Sequence, residues 1–219
     1  CWLGNGHFWG NYPGKIWSIL FCAILLIPVR VVRNKNVHRK TSYVFVANHQ
    51  GAFDIFLVYG FLGRNFKWMM KKSLRKAPFI GKASEAAGHI FVDKSGPKKI
   101  MATIEQGRET LKDGMSLVIF PEGSRTFTGH MAEFKKGAFM LADELQLPVV
   151  PLTISGSFNI LPRTGKYLCW HPMKLVIHDP IYPQGQGPDN LKHLAEESYK
   201  AIEASLPEKY KGKEVNPDQ

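Results

Sequence analysis

The sequence predicts an α/β fold, a largely parallel central sheet flanked by helices with a membrane-associated helix at its N-terminus. Three observations carry the sheet. From residue 41 onward, short runs rich in Val, Ile and Phe alternate with stretches at helical spacing, the order expected of strands joined by crossover helices. The strand-like runs are apolar throughout, as strands covered on both faces are. Two of them run directly into polar, glycine-containing segments, and in open parallel sheets the working groups sit on loops beyond strand ends. A length of 219 residues suits a single domain with a sizeable core, and 44% hydrophobic with 21% charged residues excludes a disordered or collagen-like chain.

The first element is "IWSILFCAILLIPV", residues 16–29. Its 14 residues fall short of the roughly 20 that span a bilayer, and it is apolar on every side. Trp2, Phe8, Trp9, Tyr12 and Trp17 crowd its upstream flank, as aromatics do at a lipid–water boundary. Arg30, Arg33, Lys35, Arg39 and Lys40 follow it, placed to meet anionic head groups. The segment is expected to dip into one leaflet, or to be the remnant of a longer hairpin; a buried core helix is the competing reading. The chain opens on Cys1 rather than methionine, so its start is expected inside or after a processed or trimmed N-terminus, and a cleaved signal peptide is not expected because no small-residue cleavage site precedes the folded region.

"SYVFVA" (42–47) reads as a buried strand and "FDIFLVYGFLG" (53–63) as a buried helix stopped by Gly63. "KWMMKKSL" starts strand-like and passes into a basic turn broken by Pro78 and Gly81. "GHIFVDKS" (88–95) is a short strand, and 97–114 a helix with Pro97 in its first turn and Gly114 as its stop. Then come strand 116–120, helix 135–147, strands 148–156 and 173–181, and a helix over 189–206. The charged tail from Pro207 is expected to fray. The organisation is therefore a membrane-associated segment and basic linker over 1–40, a folded domain over 41–206, and a tail over 207–219.

Twenty-nine Lys and Arg against 18 Asp and Glu give a formal charge of +11, which suits nucleic acid, an anionic membrane or a phosphorylated substrate. A second basic group runs through Arg64, Lys67, Lys71, Lys72, Arg75, Lys76 and Lys82. The aromatics lie in apolar runs rather than among these cations, which argues against nucleic acid. Cys1, Cys22 and Cys169 are too few and too scattered for a disulfide framework and fit no zinc spacing.

Chemistry concentrates in three segments. "NHQGAFD" (48–54) sets His49 ahead of Asp54 just past a strand. A tight turn there could bring the carboxylate to the imidazole, fixing its tautomer for general-base work; the spacing alone also fits two polar loop residues. "FPEGSRT" (120–126) holds Glu122 and Arg125 at a strand end, with Gly123 permitting an unusual turn. Arg125 offers a fork of donors suited to phosphate. Glu122 either orients Arg125, accepts from a substrate hydroxyl, or makes an internal ion pair. "GHIFVDKS" delivers Lys94, which with Lys72 and Arg125 could form a cationic pocket, while His89 reads as structural. No G-x-S-x-G elbow, P-loop or dinucleotide signature is present.

NHQGAFD, GHIFVDK, FPEGSRT and LPVVPLTISG stand in the order of the four motif blocks of the glycerolipid acyltransferases. With "FKKGAF" and "KKSL…APFIG", they are most similar to bacterial 1-acylglycerol-3-phosphate acyltransferases, over roughly residues 15–206. The resemblance implies acyl transfer from acyl-CoA or acyl-acyl carrier protein to lysophosphatidic acid, giving phosphatidic acid. His49 would be the base, Asp54 its orienter, and Lys72, Lys94, Glu122, Gly123 and Arg125 the acceptor site. Lys94 stands where the family usually has arginine, keeping the charge without the fork. Neither cofactor nor metal is implied, and oxyanion donors are expected among the backbone N–H groups of the NHQG turn. The resemblance places the protein at the cytoplasmic face of the inner membrane, on an anionic surface. Two other readings stay open: acylation of a lyso-lipid without phosphate, such as a lyso-aminolipid, and a catalytically silent lipid binder.

Overall fold

The computed structural model describes residues 11–78, 80–93 and 95–214, with only the backbone at Ile80. Trp2, Phe8, Trp9 and the candidate Lys94 lie outside the described residues. Among those described, seven strands form one sheet: β1 (Val29–Val32), β2 (Val44–Ala47), β3 (Phe66–Lys71), β4 (Ile90–Val92), β5 (Ser116–Ile119), β6 (Val149–Ser155) and β7 (Met173–Ile177). Their order is β1–β7–β6–β2–β5–β3–β4. The β6–β7 pair is antiparallel; every other pair is parallel, as the alternation predicted.

The helices are α1 (Tyr12–Ile24), α2 (Asp54–Phe61), α3 (Ile80–Ala86), α4 (Pro97–Thr110), α5 (Met140–Glu144), α6 (Ser157–Ile160) and α7 (Pro188–Ser205). They cover both faces of the sheet. In β2, Phe45 and Ala47 join a cluster with Cys22, Phe53 and Leu57 from α1 and the start of α2, whereas Val44 and Val46 meet Ile104, Leu141 and Leu194 on the other side. A strand shows its side chains to alternate faces, so burial of both faces explains why its sequence is apolar without alternation.

The N-terminal segment departs from expectation. Its helix ends at Ile24, Leu26 takes a left-handed φ of 52°, and residues 29–32 become an edge strand paired with β7. Part of the expected basic linker is thus sheet, because Val29, Val31 and Val32 favour strand. Nor is α1 a plain core helix. It packs antiparallel on α2 through small residues: a Cβ on Gly14 would touch the Tyr59 ring at 3.0 Å, and one on Gly60 would lie 3.3 Å from Ile19. Ser18 and Cys22 face inward, while Ile16, Trp17, Leu20 and Ile24 face out and are exposed. The bulky apolar side chains are on the outside, the reverse of a helix that covers a core. No helix among the described residues is long and apolar enough to cross a membrane.

Smaller corrections have local causes. The strand expected from residue 88 begins at Ile90, since Gly88 has a φ of +70° and closes the preceding turn. The helix expected over 135–147 splits into a 3-10 turn at Lys136–Ala138, which contains Gly137, and α5, with Phe139 at the junction. Arg33, expected at the membrane, donates to the carbonyls of Phe61 and Leu62 and closes the C-terminus of α2. The tail does not fray up to residue 214. Tyr210 is buried and donates to Asn159, and Glu214 N–H bonds the Met131 carbonyl.

Candidate active site

The parallel strands β2 to β5 bring their C-terminal ends together at one edge of the sheet. β2 delivers Asn48 and His49, and α2 begins at Asp54, five residues past His49. A carboxylate in a helix's first turn is favoured by the helix dipole. Asp54 is fully buried, and its Oδ2 accepts from His49 Nδ1 at 2.8 Å, Gln50 N at 2.7 Å and Gly51 N at 2.9 Å. The carboxylate therefore folds the turn around itself. An ionised carboxylate only accepts, so Nδ1 carries the proton and Nε2 is left with a lone pair. The ring stacks flat on Phe120, centroids 3.9 Å apart, and Phe120 stacks on Trp68.

The backbone of His49 is held from both sides. Its N–H donates to Glu122 Oε1 at 2.7 Å and its carbonyl accepts from Thr126 N at 3.0 Å. Glu122 Oε2 accepts from Ala132 N at 2.9 Å. Burial pushes the Glu122 carboxyl up to about 8, against the pull of these two N–H donors. Glu122 thus binds backbone rather than Arg125, and the expected Glu–Arg partnership does not form. The reason is topological: β2 and β5 are adjacent and parallel, so the exits of both strands face each other.

Asn48 makes a two-way bond with the backbone of Ile154 in β6, and Gln50 donates to the Gly129 carbonyl. Neither role is readable from spacing, because each partner lies at least 79 positions away. Glu214 is a further addition. Its carboxylate accepts from the Thr126 hydroxyl and from the N–H groups of Phe127 and Thr128, tying the tail to the loop after β5.

His49 opens on a cavity of about 720 Å³. One wall is apolar, with Ile55, Tyr59, Trp68, Met70 and Leu74; Lys72 and Asp93 stand at the ends of β3 and β4. Lys72 Nζ lies 2.7 Å from Asp93 Oδ2, and this ammonium with Ser95 holds the Asp93 carboxyl well below the usual carboxylate range. Gly123 lines the cavity with a φ of +80°, which only glycine adopts without strain. Arg125 is half-buried and does not line it; its carbonyl accepts from Arg163. His89 is structural: Nδ1 accepts from Trp68 N and Nε2 meets the Tyr59 hydroxyl at 2.7 Å, while burial and Lys67 push its pKa down to about 4. Among the described residues no three His, Cys, Asp or Glu side chains converge as a metal site.

The N–H groups of the NHQG turn are not open to an oxyanion. His49 N is taken by Glu122, and Gln50 N and Gly51 N by Asp54. The turn spends its donors on its own construction.

Residues 28–155 match the acyltransferase family model. The chain belongs to the acyltransferase family. His49, Asp54, Glu122 and Arg125 all fall inside the matched region of that family. The chain is 34% identical over 143 residues to a chloroplastic 1-acyl-sn-glycerol-3-phosphate acyltransferase of Brassica napus, covering 65% of this chain and 41% of the relative. It is 34% identical over 169 residues to the 1-acyl-sn-glycerol-3-phosphate acyltransferase of Saccharomyces cerevisiae, 75% of this chain and 55% of that one. It thus spans about half the length, or less, of these acyltransferases. The crystal structure of the 1-acyl-sn-glycerophosphate acyltransferase from Thermotoga maritima shares the fold, with a TM-score of 0.70 at 24% identity over 90% of this chain and 81% of that one.

Proposed function

We propose that the protein transfers an acyl chain from an acyl thioester to the free hydroxyl of a 1-acylglycerol-3-phosphate, giving phosphatidic acid. The observation that carries this is the His49–Asp54 pair opening onto an apolar cavity with cations at its rim. A lone pair on Nε2 removes the hydroxyl proton as that oxygen attacks the thioester carbonyl. The tetrahedral oxyanion collapses, the C–S bond breaks, and the thiolate leaves with the proton that Nε2 had taken. The apolar wall houses an acyl chain. For the oxyanion, Ser124 N–H is the candidate donor; it borders the cavity and has no acceptor among the described residues. Lys72 supplies charge toward the acceptor's phosphate from the cavity wall and Arg125 from outside it, and the names of the relatives support that choice of acceptor.

The test is direct. Purified protein given acyl-CoA or acyl-acyl carrier protein should acylate lysophosphatidic acid faster than 1-acylglycerol or a lyso-aminolipid. Equal rates on all acceptors would remove the phosphate from the reading, and no turnover with either thioester would leave a lipid binder.

The outer face of α1 supports a reading in which this site works at a membrane surface. Trp17, Leu20, Ile24 and Leu26 are exposed, and Trp170 Nε1 donates to the Leu26 carbonyl at 2.8 Å, joining exposed Tyr167, Leu168 and Trp170 to the same patch. Arg30, Lys35, Arg39 and Lys40 are exposed on the following segment, each worth about 1 kcal/mol near an anionic surface. Trp17→Glu with Leu20→Glu should release the protein from anionic vesicles, measured by flotation, with its melting temperature kept. Removing α1 outright would instead unfold the domain, since Cys22 and Phe21 belong to the core. Unchanged flotation of the double variant would place the membrane contact elsewhere.

A further inference from the structure

Lys135 lies in "FKKGAF", ten residues past Arg125 and outside the four motif blocks. The structure puts it in the same cavity as His49. Its backbone N–H donates to the Pro121 carbonyl at 3.1 Å, and its own carbonyl accepts from Ala138 N at 2.8 Å, closing the 3-10 turn. The residue is therefore fixed to the exit of β5, two positions from Gly123. Its side chain crosses that glycine. A Cβ on Gly123 would lie 3.1 Å from Lys135 Nζ and 3.7 Å from Cδ. The glycine gives both the left-handed turn and the space the ammonium occupies.

That ammonium has no carboxylate or other acceptor among the described residues. The other cations differ. Lys72 is engaged by Asp93 at 2.7 Å, Arg125 does not line the cavity, and Lys71 lines it from the end of β3, whereas the atoms closest to Gly123 all belong to Lys135. An unpaired ammonium at the side of a largely apolar cavity is free to make a charge-assisted hydrogen bond to a ligand anion.

The acceptor's chemistry says which anion that is. In a 1-acylglycerol-3-phosphate the attacked hydroxyl and the phosphate ester sit on neighbouring carbons. When the hydroxyl is at His49, the phosphate must lie within the same cavity. The donor's own phosphates are separated from the thioester by the whole pantetheine arm and fall outside it. We propose that Lys135 binds the phosphate of the acyl acceptor, its ammonium held over Gly123 beside the catalytic histidine. This rests on the acceptor assigned under Proposed function.

Lys135 is exposed and its side chain supports no packing cluster, so substitution should leave the fold intact. Lys135→Ala and the longer Lys135→Gln should each raise KM for lysophosphatidic acid about 10- to 100-fold, the loss expected for one charge-assisted hydrogen bond. Turnover at saturation and KM for the acyl thioester should change less than about threefold. Lys135→Arg should recover most of the affinity. On 1-acylglycerol, which lacks the phosphate, wild type and both neutral variants should be equally slow. Loss of activity on both acceptors alike, or a fall in kcat without a rise in KM, would overturn the assignment while leaving the acceptor reading in place. A wild type indifferent to the acceptor's phosphate would remove the acceptor reading and Lys135's role with it.

Discussion

His49→Ala is expected to lower turnover at least about a hundredfold without unfolding the protein, since a positioned general base contributes about 10²–10⁴ in rate. The ring lines an open cavity, and stability rests on its backbone, held by Glu122 and Thr126, which alanine keeps. Asp54→Ala should lose activity to a similar extent for two reasons. It frees the imidazole to take the wrong tautomer, and it strips the acceptor from Gln50 N and Gly51 N. Each buried N–H left unpaired costs about 1–3 kcal/mol, so this variant should also melt earlier. Asp54→Asn separates the two effects. It can still accept from the turn but no longer enforces Nδ1–H, so activity should fall further than stability. The double variant His49→Ala with Asp54→Ala should be little slower than either single one, because the pair works as a unit. Steady-state kinetics with melting curves checks all four proteins. A folded His49→Ala enzyme at full rate would end the mechanism.

Glu122→Ala should destabilise the protein by about 2–5 kcal/mol. It leaves two part-buried N–H groups, on His49 and Ala132, without acceptors. Activity should fall with it, because the His49 backbone then hangs on Thr126 alone. Glu122→Gln preserves the shape but can accept only through its single oxygen, so it should cost about 1–3 kcal/mol. The pH dependence identifies the buried carboxyl. Its pKa is raised in the fold to about 8, so the folded protein binds the extra proton. Wild-type stability from this group is full below the unfolded carboxyl pKa and is lost as pH rises through about 8. The wild-type advantage over Glu122→Gln should therefore shrink between about pH 5 and about pH 8. Thermal melts of both proteins across that range test it; an advantage that stays constant with pH would mean the carboxylate is ionised throughout.

The amino-acid sequence by itself determined the α/β alternation, the parallel sheet, and the positions of His49 and Asp54. These depend on local information: runs of β-branched residues, helical spacing, and a turn short enough to close on itself. The His49–Asp54 bond spans five positions, so the motif nearly contains its own geometry. The inward face of α1 was not legible, because a helix apolar all round does not reveal which side meets α2; the small residues Gly14, Ser18 and Cys22 decide it only once Tyr59 and Gly60 are beside them. Nor could sequence separate the roles of like charges. Arg33 closes a helix, Lys72 faces Asp93, and Lys135 crosses Gly123. Glu122 stood three residues from Arg125 yet binds the backbone of His49, 73 positions away. Tertiary structure decided each of these because a charged or polar side chain takes the partner that burial brings to it, and the parallel pairing of β2 with β5 is what brings Glu122 to His49.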